Sequence, residues 1–199
     1  MISDIFKPAV VRIISPTARV MLRIGLTPNS VTTLGAIGVI ATSLIAYPNG
    51  HLFGGTLAIC ALALSDLFDG TMARLSAKGP SRWGGFLDST IDRVTDSAIA
   101  MGLLIYLAKN DDSLSFVLLV SIVAGFLVSY IRAKAESLQI ECKGGFAERT
   151  ERLAILLTAI GFTGLGVEYI LTLGIWALAL ASVFTVLQRL RIVWKATNK

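Results

Sequence analysis

Apolar residues dominate six long stretches of the chain, at 31–48, 52–75, 86–108, 114–139, 150–166 and 169–192, with short polar connections between them. A helix needs about 20 mostly apolar residues to cross a ~30 Å hydrocarbon core, so the pattern predicts six transmembrane helices in one bundle over 31–192. Upstream, Ile2, Ile5, Phe6, Ala9 and Ile13 recur at helical spacing among polar residues. That spacing predicts an amphipathic helix within 1–25, lying in the membrane interface. Pro16 is expected to bend it or to start a second piece. Lys7, Arg12, Arg19 and Arg23 interrupt any apolar core, so the segment does not read as a cleavable signal peptide. The expected architecture is all-α, a single polytopic membrane domain over 1–199 with no soluble domain attached and no internal repeat.

Composition agrees with this reading. Of 199 residues, 54% are hydrophobic and only 16% charged, and the mean hydropathy of +0.73 is too high for an ordinary soluble domain. Charge then orients the bundle. With the N-terminus inside, Lys109 is the one member of the 18 lysines and arginines on the outer side, beside Asp111 and Asp112. Arg74, Lys78, Arg82 and Arg93 flank the second connection, Arg132, Lys134, Lys143, Arg149 and Arg152 the fourth, and Arg189, Arg191, Lys195 and Lys199 the end. Such asymmetry predicts N-in, C-in topology in the cell membrane, with the chemistry at the cytoplasmic face. The net charge of +5 becomes a basic layer suited to anionic lipid and phosphorylated substrates, not to nucleic acid. Cys60, in mid-span, and Cys142, on the cytoplasmic side, are not expected to pair.

The polar exceptions carry the candidate chemistry. Asp66 and Asp69 are three apart, and Asp88 and Asp92 four apart, so on helices each pair projects from one face. The apolar run Leu52–Leu64 covers roughly 20 Å, too short to cross alone, so its helix continues through the first pair toward Arg74. The next helix returns from the same side and carries the second pair to similar depth, with Asp96 one turn deeper. Ionised carboxylates at membrane depth cost about 2.5–3.5 kcal/mol each. With one His and two Cys in the chain, a hard divalent cation, Mg²⁺ or Mn²⁺ and as many as two ions, is the natural neutraliser. Helix-end solvation or pairing with Arg74, Arg82 and Arg93 is the plainer alternative. Gly70, Ala73, Gly84 and Gly85 leave room for a bulky ligand beside the acids, and Arg74 is placed to grip a phosphate.

Residues 66–92 read DLFDGTMARLSAKGPSRWGGFLDSTID. This resembles the signature of the CDP-alcohol phosphotransferases, DxxDGxxAR followed by GxxxDxxxD, and Asp66, Asp69, Gly70, Ala73, Arg74, Gly84, Asp88 and Asp92 all match. Nine residues separate Arg74 from Gly84, one more than that family's usual spacing. The resemblance implies an amphipathic segment followed by six membrane helices, commonly in a homodimer. It also implies transfer of a phosphoryl-linked lipid from CDP-diacylglycerol to an alcohol with release of CMP. By that resemblance Asp66, Asp69 and Asp88 ligate the metals, and Asp92 is a ligand, the general base or both. Gly70, Arg74, Ser81 and the stretch Asn29, Ser30, Val31 and Thr32, read as a loop near the diphosphate, contact the donor. The same TPNSVT stretch also reads as an N-cap and proline turn opening the first membrane helix.

Lys134, Arg152 and Arg191 come from three different helices near the cytoplasmic surface, with Arg149 and Arg189 nearby. If they converge, they form a pocket for a phosphorylated acceptor; otherwise they set topology and meet lipid. The stretch SYIRAKAESLQIECKGGFAERTERL and the later QRLR resemble the phosphatidylinositol phosphate synthases of actinobacteria, a branch of the same family. That implies myo-inositol 1-phosphate as acceptor, held by Lys134, Arg152 and Arg191, with Arg189 a weaker candidate. Glycerol 3-phosphate, as in phosphatidylglycerophosphate synthases, is the close alternative. A cation-binding transporter is the reading from a different class, but the acids cluster at one end and no inverted repeat is evident.

Overall fold

A computed structural model describes the backbone of residues 2–76, 79–110, 112–142 and 144–198, with side chains described from residue 13 onward. Lys78, Asp111, Lys143 and Lys199, and the side chains of Lys7, Arg12, Ile2, Ile5, Phe6 and Ala9, therefore lie outside what is described. The described elements are α1 (Ile2–Arg23), α2 (Pro28–Ala46), a short 3₁₀ turn (Tyr47–Asn49), α3 (Leu52–Ala63), α4 (Ser65–Leu75), α5 (Arg82–Lys109), α6 (Leu114–Ser137), α7 (Arg149–Gly164) and α8 (Ile170–Thr197). The all-α expectation holds among the described residues.

Four stretches, Pro28–Asn49, Leu52–Leu75, Leu114–Ser137 and Ile170–Thr197, are long and apolar enough to cross a membrane. Helices α5 and α7 occupy the other two expected spans but do not meet that standard. The first half of α5 carries Asp88, Asp92, Arg93 and Asp96, and α7 is 16 residues long with Arg149, Glu151 and Arg152 in its first turn.

The chain divides into two compact units, one of residues 1–43 and 57–99, the other of residues 44–56 and 100–199. In the first unit α1 runs through Pro16 without starting a second helix. Ala18 is fully buried with Val31 of α2 and Met72 of α4, and Ile14, Met21, Leu22, Leu26 and Phe68 pack around them. The spacing 14, 18, 21 is one helical face, so this face docks on α4, whereas Ile13 is 77% exposed. Helix α2 begins with a reciprocal cap. Thr27 Oγ1 accepts the Ser30 N–H (3.2 Å) and Ser30 Oγ accepts the Thr27 N–H (3.0 Å), with Pro28 at the first helical position. Further along, Gly35 and Gly38 let α2 approach Ser65 and Leu62, which leave no room for a methyl group at either position.

The α3–α4 junction is a tightening more than a turn. Leu64 keeps right-handed helical angles, and its carbonyl accepts the Leu67 N–H three residues on (3.0 Å). The run Leu52–Leu75 thus continues past its apolar part, as its length requires.

In the second unit α8 packs against both α6 and α7. Small residues set the spacing, as expected of helices that share a membrane. Gly174 sits against Ala159, Gly161 against Thr56 and Gly164 against the Phe53 backbone. Tyr47, fully buried, shares a hydrogen bond with Thr56 (2.9 Å), and Lys109 Nζ donates to the Pro48 carbonyl (3.1 Å).

Candidate active site

The four motif carboxylates all lie in the first unit, Asp66 and Asp69 on α4 and Asp88 and Asp92 on α5. Asp69 is only 8% exposed. Its carboxylate accepts a short hydrogen bond from the hydroxyl of Thr32, itself buried on α2. Asp66 and Asp88 are exposed, yet both are near enough to act on Asp69 through space. Asp92 is half-buried and pairs with the adjacent Arg93 guanidinium at 3.6 Å; Asp96, one turn deeper, is also half-buried.

Among the described residues no three His, Cys, Asp or Glu side chains are drawn into a ready-made metal cage. The donor set nevertheless fits a hard divalent cation. It consists of oxygen ligands from two helices, with one carboxylate oriented by Thr32 and two others within its electrostatic reach. No neighbouring group lies within 4 Å of where a side chain would begin at Gly70 or Gly85, whereas the room expected at Gly84 is taken by Ser81 and Asn29, which stand 3.0 and 3.3 Å from its absent Cβ.

Of the expected donor contacts, Asn29, Ser30, Val31, Thr32 and Ser81 lie at the openings of two helices, and Gly70 and Arg74 lie on α4. Asn29, Ser30, Val31 and Thr32 form the first turn of α2, not a loop, which is the alternative the TPNSVT stretch allowed. Ser81 caps α5, its Oγ accepting the Gly84 N–H at 2.9 Å. Asn29 Oδ1 lies 3.3 Å from where a Cβ would stand on Gly84, so the missing side chain brings the two helix starts together. Backbone N–H groups at two neighbouring helix N-termini favour an anion such as a phosphate. Arg74 is exposed and donates to Thr71 Oγ1 at 3.3 Å.

The basic residues expected at the acceptor phosphate lie in the second unit. Arg152, half-buried in the first turn of α7, stands beside Gly125 of α6 and donates to the Ala147 carbonyl at 2.9 Å. Lys134 on α6 and Arg191 on α8 are exposed. Arg189 behaves differently. Two residues from Arg191, it points to the other side of α8, is 2% exposed, and donates to the carbonyls of Gly144 (3.2 Å) and Val128 (2.5 Å).

Two features escaped the sequence reading. Thr32, expected near the donor diphosphate, also bonds Asp69 through its hydroxyl, a pairing between residues 37 apart that no local pattern signals. The anchoring of the 144–147 segment by Thr185, Gln188 and Arg189 was also missed; the Gly144–Gly145 pair was its one visible sign.

Comparison with known proteins places this geometry. The CDP-alcohol phosphatidyltransferase family profile matches residues 25–187. A phosphatidylinositol phosphate synthase of Streptomyces avermitilis is 42% identical over 187 residues, covering 89% of this chain and 76% of the relative. The crystal structure of Mycobacterium tuberculosis phosphatidylinositol phosphate synthase with CDP-DAG bound superposes with a TM-score of 0.88 at 42% identity, covering 92% of this chain and 94% of the other. The same M. tuberculosis enzyme in complex with manganese and citrate gives 0.87 at 41% identity, covering 91% and 88%. The chain is an enzyme of the CDP-alcohol phosphatidyltransferase family.

Proposed function

We propose that this chain transfers the phosphatidyl group of CDP-diacylglycerol to myo-inositol 1-phosphate and releases CMP. One observation carries the reading. The family's eight motif positions fall on α4 and α5 of a single compact unit, in a chain 42% identical over most of its length to phosphatidylinositol phosphate synthases. The complexes of the M. tuberculosis relative with CDP-DAG and with manganese and citrate support the donor and the need for a divalent metal.

In this reading Asp66, Asp69, Asp88 and Asp92 hold Mg²⁺ or Mn²⁺, as many as two ions. The metal's contribution is to neutralise the diphosphate and the charge that develops on departing CMP. Thr32 fixes the Asp69 carboxylate in one rotamer. The opening turn of α2 (Asn29, Ser30, Val31, Thr32) and the Ser81 cap of α5 turn two positive helix ends toward the donor's phosphates, with the Thr32 hydroxyl kept on Asp69. Gly70 leaves room for the nucleotide, and Arg74 turns from Thr71 to a phosphate oxygen. The acceptor hydroxyl attacks the β-phosphorus, and Asp92 takes its proton.

Lys134, Arg152 and Arg191 hold the acceptor's phosphate. Six helices span the membrane, α5 and α7 crossing with their charged first turns on the cytoplasmic side, and α1 lies in that interface. The protein works there as a homodimer. An acceptor with its own phosphate calls for guanidinium partners, which free inositol does not.

Arg152→Gln tests the acceptor assignment. A hydrogen bond to a charged group contributes about 1.5–3 kcal/mol, so the acceptor KM should rise roughly ten- to a hundredfold while the donor KM moves little. Steady-state kinetics with each substrate varied in turn reads this directly. Equal effects on both would remove Arg152 from the acceptor pocket.

A further inference from the structure

The segment between α6 and α7 is tied to α8 at three successive points. The Ala147 N–H donates to Thr185 Oγ1 (3.1 Å), the Phe146 N–H donates to Gln188 Oε1 (3.1 Å), and Arg189 Nε donates to the Gly144 carbonyl (3.2 Å). Phe146 also meets Phe184 edge to face at 6.1 Å. Thr185 and Arg189 are buried, Thr185 completely, while Gln188 is half-buried, and Thr185 spends its own proton on the Ala181 carbonyl (2.7 Å). Its oxygen is thereby turned toward Ala147 as an acceptor.

Gly145 makes the close approach possible. Its φ of +146° suits glycine, and a Cβ there would stand 2.6 Å from Thr185 Cγ2. The residue gripped by Thr185 through its N–H presents its carbonyl to Arg152. Ala147 O accepts from Arg152 Nη1 at 2.9 Å, while the Arg152 backbone N–H bonds Glu148 O (3.1 Å).

We propose that Thr185, Gln188 and Arg189 are positioning residues for the transfer reaction, forming a strap that holds Ala147 so that its carbonyl fixes the plane of the Arg152 guanidinium. Arg189 acts as a strut in this strap and not as a phosphate ligand. A guanidinium is planar and carried on a covalent stem, so a hydrogen bond from Nη1 to a fixed carbonyl, acting with that stem, restricts the direction of its fork. Two-point recognition of a phosphate depends on that direction. The inference rests on the assignment of Arg152 to the acceptor's phosphate.

The test is a double-mutant cycle of Thr185→Val with Arg152→Gln in the full-length protein. Valine keeps the shape of threonine and removes the oxygen that receives the Ala147 N–H. The expected result for Thr185→Val is an acceptor KM raised about tenfold with donor KM close to wild type, and a lower melting temperature because the buried Ala147 N–H loses its acceptor. Thr185→Ser restores the acceptor KM. In the Arg152→Gln background Thr185→Val adds nothing further, because the group it positions is gone.

Additive effects, or equal effects on donor and acceptor, would overturn the strap as a positioning device. Arg152→Gln alone separates the two readings. If it raises the acceptor KM and Thr185→Val does not, the strap fails and the phosphate assignment stands. If it leaves the acceptor KM unchanged, the assignment fails and takes the strap's role with it. Should Thr185→Val not fold, Gln188→Leu at its half-buried position carries the same cycle to the same outcomes.

Discussion

Asp69→Asn should lower kcat for CMP release by about a thousandfold or more while leaving the fold intact. Charge stabilisation by a bound metal contributes several kcal/mol, and ~4 kcal/mol corresponds to about a thousandfold in rate. Asp69 is the motif carboxylate most constrained by its surroundings, buried and held by Thr32. Asparagine preserves its shape, and its amide oxygen can still accept the Thr32 hydroxyl. What disappears is a negative charge within reach of Asp66 and Asp88. Removing one of several like charges does not weaken the folded state, so thermal unfolding should match wild type or exceed it slightly. Activity within tenfold of wild type would remove Asp69 from the metal-binding set.

The largest effect on stability is expected from Gly164→Ala. A Cβ at Gly164 would lie 2.3 Å from the Phe53 backbone nitrogen and 2.9 Å from its Cα. Backbone atoms cannot rotate away as a side chain can, so α3 or the end of α7 must move. Overpacking of this kind costs about 1–3 kcal/mol, and the upper end applies when backbone is the obstacle. In a chain of this size about 3 kcal/mol lowers the melting temperature by roughly 6–12 °C, readable in detergent. Gly54→Ala is the matched control. Gly54 lies on α3 with no atom within 4 Å of its absent Cβ, so alanine there should be neutral or stabilise by about 0.5–1 kcal/mol. Equal melting temperatures for the two variants would mean that α7 and α3 are not packed as closely as described.

The helices were legible because membrane-length apolar runs leave few alternatives. The expected 114–139 and 169–192 fall on α6 and α8, and 52–75 on α3 and α4 together. The motif carboxylates were legible because acids are rare in such a chain and their spacing matches helical faces. The finer assignments depended on tertiary contacts that periodicity does not carry. The TPNSVT stretch resembles a phosphate loop and also reads as a capped helix start with proline at N1; the Thr27–Ser30 reciprocal cap shows the helix start, which the sequence alone left open. Arg189 and Arg191 look alike in the sequence QRLR, but a two-residue step turns one into the α6–α8 interface and the other outward. Thr32 and Asp69 meet only because α2 and α4 pack together.

The reaction itself is tested by CMP release from CDP-diacylglycerol by the purified protein with Mg²⁺ or Mn²⁺. Inositol 1-phosphate, glycerol 3-phosphate and free inositol are offered separately, and a chelator arm removes the metal. Metal-dependent CMP release is expected with inositol 1-phosphate, lost in the chelator arm, with little from the other two acceptors. Turnover confined to glycerol 3-phosphate or free inositol would contradict the proposed acceptor, and folded protein that releases no CMP with any of the three would contradict the reaction itself.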